Sequence, residues 1–114
     1  MLRSYRARVR RVFYDVNVEC GTWTLQQAAD WKAGTAAGQS APDPDLLRAI
    51  QWPTQLIAYF VGKQQILALR EEVRAREGAA YTDRSFHDRL LAAGPIPLAL
   101  VRAELLGEAV PPML

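Results

Sequence analysis

Apolar side chains recur at steps of three and four through most of this chain. In residues 3–20, Tyr5, Val9, Val12, Phe13, Val16 and Cys20 form one stripe with arginines opposite, the spacing of an amphipathic helix. Gly21 stands where a C-terminal glycine ends such a helix. Thr24, with Gln27 three residues on, is a capping-box pattern that opens a second helix to about Lys32, with Leu25, Ala28, Ala29 and Trp31 inward. Residues 33–44 shift to Gly, Ala, Ser, Pro and Asp, which predicts a mobile loop. Asp43 and Pro44 are a cap and a first-position proline for a third helix reaching about Gln51. Pro53 predicts the start of the longest helix, ending at Glu77 before Gly78, with Leu56, Ile57, Phe60, Val61, Leu67 and Val73 at helical spacing. Asp83 is expected to cap a short helix holding Phe86, Leu90 and Leu91 and stopping at Gly94. Pro97 opens a last helix with Leu98, Val101, Leu105 and Leu106. No segment alternates apolar and polar residues as a strand does, and no repeat is present. The prediction is an all-α fold: residues 1–114 as a single domain, a compact bundle of about five to six helices with one long central helix.

Composition narrows the function classes. Half of the 114 residues are apolar, a globular proportion, yet no apolar run approaches the roughly 20 residues that span a bilayer. The arginine-rich start is not followed by the apolar core of a signal peptide, so a cytoplasmic protein is expected. Cys20 and His87 are each the single residue of their type, which excludes an intrachain disulfide and a zinc site of four cysteines or of two cysteines and two histidines. Cys20 continues the apolar stripe and reads as a core thiol. Net charge is +2, with Arg3, Arg6, Arg8, Arg10 and Arg11 crowded at the start. Without interleaved aromatics these predict a solvated helix face, not a nucleic-acid surface. Arg11 and Asp15 stand at ion-pair spacing on one helix.

Several side chains are candidates for chemistry. Gln55, Tyr59 and Gly62 fall on one side of the predicted long helix, where a phenol and an amide can bind a carboxylate or polarise a carbonyl. A helix–helix contact is the alternative use. Gly62 leaves room for a close approach. His87, flanked by Asp88, is either a general acid/base or a residue that fixes a turn by bonding backbone. Glu19 opposes the dipole at the end of its helix and so invites a partner, or is solvated. Trp23 and Trp52, with Trp31, either line an aromatic cavity or pack the core.

Three blocks in order, Arg8, Arg11 and Asp15 with Trp23-Thr24, then Trp52-Pro53, Gln55, Tyr59 and Gly62 with Leu69-Arg70-Glu71, then Arg84, Phe86-His87-Asp88, Leu91, Gly94, Pro97 and Leu98, resemble the C-terminal portion of the bacterial domain-of-unknown-function 885 family. That family is metallopeptidase-like, of gluzincin type. Its zinc motif, His-Glu-x-x-Pro-Gly-His with a later glutamate, lies upstream of the portion represented here, and none of it is in this chain. Glu19 replaces the family's usual histidine and Phe60 its usual lysine. The resemblance therefore implies a pocket no longer of the peptidase type, with no metal and no cofactor.

Removal from a larger helical body leaves apolar surface, so a homodimer or heteromer through the apolar face of the long helix is expected. Two functions follow. The first is binding, with or without turnover, of a small organic ligand near Tyr59, His87 and Glu19 (catalytic candidates) and Gln55, Trp23 and Trp52 (ligand contacts). The alternative is a non-catalytic interaction subunit that completes or regulates a separate metallopeptidase-like chain.

Overall fold

The computed structural model describes residues 2–110. Its order is α1 (Leu2–Glu19), α2 (Leu25–Ala33), α3 (Pro44–Gln51), α4 (Ala58–Glu77), a 3₁₀ turn (Gly78–Ala80), α5 (Asp83–Ala92) and α6 (Leu98–Leu106). No strand occurs among the described residues, and the fold is all-α as the apolar spacing predicts. Contacts group the chain into two compact units, Met1–Val61 and Gly62–Leu114.

In the first unit, α1, α2 and α3 close around Tyr14, Ala28, Ala29, Leu46, Ala49 and Leu56. Three of these six are alanines, small enough for helix backbones to approach closely. The capping box of α2 forms as expected: the Thr24 side chain accepts from the Gln27 N–H, and the Thr24 N–H donates to the Gln27 side chain at 2.8 Å. Gly34 ends α2 in the left-handed conformation (φ 72°), its N–H donating to the Asp30 carbonyl at 2.8 Å. The segment after Gly34 is tied back to α2. The buried Asp30 carboxylate accepts from the N–H groups of Gly38 at 2.7 Å and Ser40 at 2.9 Å. Asp43 then caps α3, accepting from the Leu46 N–H at 3.1 Å with Pro44 at the first position.

Two expectations about this unit are corrected. The inward face of α1 is not the Val12–Phe13–Val16–Cys20 stripe: Phe13, Val16 and Cys20 are exposed, while Tyr14 and Asp15 are buried. Arg11, Tyr14, Asp15 and Val18 also repeat at three, four and seven, and this more polar face meets Asp45 of α3 and the Thr54 N–H. Arg11 consequently pairs with Asp45 at 3.1 Å rather than with Asp15. The second correction concerns α4, which begins at Ala58, five residues after Pro53. Thr54 occupies the left-handed region at φ 69°, a conformation a helix cannot contain and a β-branched residue rarely adopts. Its N–H donates to Asp15 Oδ1 at 3.2 Å.

The second unit packs Leu69 and Val73 of α4, Phe86 of α5, and Val101 and Leu106 of α6 into one cluster. Thr82, not Asp83, caps α5: its hydroxyl accepts from the Ser85 N–H at 3.1 Å. Asp83 instead accepts from the Tyr81 hydroxyl at 2.6 Å. Arg89 pairs with Glu77 at 2.6 Å, and Arg76 donates to the Leu106 carbonyl, tying α6 to α4.

Phe86 has no exposed surface, so Phe86→Ala is expected to cost about 3–5 kcal/mol, read as a lower denaturant midpoint. The Gly38 N–H, with those of Ser40 and the Gln26 amide, holds the Asp30 carboxyl below its ordinary range against the upward push of burial. A lowered folded-state pKa gives stability that is complete above the unfolded value of about 3.9 and disappears as pH falls through the folded one. Urea melts at neutral and acid pH should find Asp30→Asn less stable than the parent at pH 7, with the gap narrowing below about pH 4.

Candidate functional site

The first unit carries a cleft of about 160 Å³ walled by Ala7, Arg10, Arg11, Tyr14, Lys32 and Asp45. Charged side chains from three helices meet at it. Arg11 of α1 and Lys32 of α2 converge on Asp45 at 3.1 and 3.6 Å, and Lys32 also pairs with Asp43. The Lys32 ammonium stands 5.1 Å from the centroid of the Tyr14 ring. Arg10 lies over the Trp31 ring at 4.9 Å and donates to the Lys32 carbonyl at 2.7 Å, a favourable position for a cation at the end of α2. Three cations against two carboxylates leave one positive charge in excess.

Tyr14 is the unusual member of this group. It is 1% exposed, yet its hydroxyl has no hydrogen-bond partner. Burial, reinforced by Asp45, pushes the phenol up to about 12; Arg11 pulls the other way without an ordinary hydrogen bond to it. At neutral pH it is therefore a donor with nothing to donate to. Burial also pushes Asp43 up, but the bonds from Lys32 and the Leu46 N–H outweigh it and hold that carboxyl below its ordinary range.

The second unit has an apolar cleft of about 270 Å³ between α4 and α6, floored by Ala68, Leu69, Leu98 and Ala99. Arg102 and Glu72 pair at its edge at 2.7 Å.

None of the six residues singled out from sequence lines either cleft. Tyr59 is 64% exposed, its ring 5.4 Å from the Arg8 guanidinium. Gln55 and Trp52 are exposed in the turns before α4, so Gln55 and Tyr59 do not share a helix face. Glu19 is exposed at the end of α1. Trp23 is half-buried beside Trp31, ring centroids 5.3 Å apart, and Trp31 meets Phe13 at 5.9 Å. His87 lies in the second unit, exposed, its Nδ1 2.6 Å from the Asp83 carbonyl one turn back, which makes Nδ1 the donor. A Cβ built at Gly62 meets nothing within 4 Å. Among the described residues no group of three or more His, Cys, Asp or Glu is placed to hold a metal ion. No helix among them is long and apolar enough to cross a membrane.

Of the residues that do converge, only Arg11 has a role in the sequence pattern, on a solvated helix face; Tyr14, Lys32 and Asp45 carry no local signal of a site. The available signal was the 11–14–15–18 repeat, which runs beside the apolar stripe and competes with it. Because the Tyr14 hydroxyl is buried and unpartnered, Tyr14→Phe should raise stability by about 1 kcal/mol, measured by urea denaturation with helix content checked by circular dichroism.

Comparison with known proteins places the chain. Residues 1–105 match the model of a family described as bacterial protein of unknown function (DUF885), and the chain belongs to that family. No curated protein matches it, and no solved structure does.

Proposed function

We propose that this DUF885 protein works as an interaction domain, pairing with a second copy of itself through an apolar surface at the end of α3. One observation carries the reading: the apolar face of α3 is wider than the core of its unit covers. Leu46 and Ala49 face the core, while Leu47 and Ile50 are exposed at 47% and 45%. Trp52, next in the chain after the helix, is 58% exposed. An apolar helix face left partly uncovered extends the exposed apolar surface, and large apolar patches on soluble proteins mark interaction sites. Tryptophan is also the side chain most enriched at binding hot spots.

A second copy is the occupant because Leu47, Ile50 and Trp52 lie within six residues. A two-fold axis through so compact a patch sets like against like, as isologous pairing requires. Covering three such side chains on each partner contributes on the order of 10 kcal/mol, against roughly 4–15 kcal/mol lost in association. Pairing is therefore expected to depend on concentration. In this reading Trp52 is a contact residue of the interface, not of a small ligand. The alternative is a heteromer, in which a larger metallopeptidase-like chain covers the same patch.

Light scattering coupled to size exclusion tests the pairing. The parent should approach twice the monomer mass across the micromolar range, and Leu47→Glu with Ile50→Glu should stay at the monomer mass with unchanged helix content. A parent that is monomeric throughout overturns the homodimer. Its capture of a larger DUF885 chain, lost in the same variant, would transfer the surface to the heteromer.

A further inference from the structure

The cleft walled by Arg10, Arg11, Tyr14 and Lys32 has features that neither folding nor self-association requires. A buried phenol without an acceptor is a net penalty in the free protein. The chain keeps it where three cations converge on two carboxylates, and only Arg11 and Lys32 are paired with those carboxylates. Arg10 has no carboxylate partner among the described residues. It spends one terminal nitrogen on the carbonyls of Trp31 and Lys32, at 3.4 and 2.7 Å, and has its other N–H groups to offer.

We infer that this cleft between α1, α2 and α3 is a binding site for a small organic monoanion, a carboxylate, whose oxygens accept from Arg10, Arg11 and the Tyr14 hydroxyl. The chemistry selects that class in three ways. One excess positive charge balances a single negative one, whereas a dianion would be left in repulsion with Asp43 and Asp45. A carboxylate accepts two parallel hydrogen bonds from the planar fork of a guanidinium. The volume, about 160 Å³, admits a carboxyl group with a short organic substituent and little more. Ala7 and the aliphatic stems of the arginines supply the apolar contact for that substituent.

Binding requires no covalent step. The incoming carboxylate competes with Asp45 for Arg11 and gives the phenol the acceptor it lacks. Asp45 retains Lys32, 3.6 Å away in the free protein, so no carboxylate is stranded when the anion enters.

The test is an NMR titration with sodium acetate, and separately with sodium propionate and inorganic phosphate, at fixed ionic strength with chloride as the balancing anion. Amide shifts should move saturably at Ala7, Arg10, Arg11, Tyr14 and Lys32 with acetate and propionate, and more weakly with phosphate. Tyr14→Phe removes only the hydroxyl, and should weaken acetate binding about tenfold, as loss of a hydrogen bond to a charged group does. Arg10→Gln should abolish saturation, while Arg84→Gln, an exposed arginine of the second unit paired only with Asp88, should leave it unchanged. Shifts that grow linearly without saturating, equal binding by the parent and Tyr14→Phe, or tighter binding of phosphate than of either carboxylate would each overturn the assignment. The titration is run on the monomeric Leu47→Glu, Ile50→Glu variant as well as the parent, so its outcome is independent of self-association.

Discussion

A carboxylate buried on one hydrogen bond organises the first unit. Asp15 is 1% exposed; Oδ1 takes the Thr54 N–H, and Oδ2 has no partner. Charge is costly to remove from water, and a threonine in the left-handed region costs on the order of 1–3 kcal/mol. The two penalties sit on the two ends of one hydrogen bond. The turn holds Thr54 in a conformation that aims its amide at α1, and the carboxylate is the acceptor that keeps it there. From this contact follow the late start of α4 and the seating of Leu56 in the core of the unit.

Polar interactions have different weight in the two units. In the first, Arg11, Lys32, Asp43 and Asp45 are partly shielded, and Lys32 and Asp45 each have two charged neighbours. In the second, pairs such as Arg84–Asp88 and Arg74–Glu71 lie on exposed surface, where each contributes little. That unit is held by Phe86 and the aliphatic residues around it.

The sequence was most legible where local chemistry decides. Thr24 with Gln27, Asp43 with Pro44, and the glycines after helices act over three or four residues, and each formed the cap or stop expected of it. Membership of the DUF885 family was legible too, in three ordered blocks of residues. Legibility failed where two periodicities overlap. On α1 the apolar stripe and the 11–14–15–18 face differ by a fraction of a turn, and the partners of the second face, Asp45 for Arg11 and the Thr54 N–H for Asp15, are distant in sequence. It failed again at Pro53, a good helix opener overruled by the hydrogen bond from Thr54 to Asp15, 39 residues away. Gln55 and Tyr59 were paired on the expectation of one continuous helix from Pro53, and the start of α4 at Ala58 separates them.

The clasp that Asp30 makes on Gly38 and Ser40 has a bearing on how this molecule can be re-engineered. Both amides must reach the same carboxylate, so their separation of two residues is fixed while the chain beyond Ser40 is not. A foreign peptide spliced between Ala41 and Pro42 leaves the clasp whole and projects from a rigid base. The same graft at Gln39 drives the two amides apart and opens the clasp.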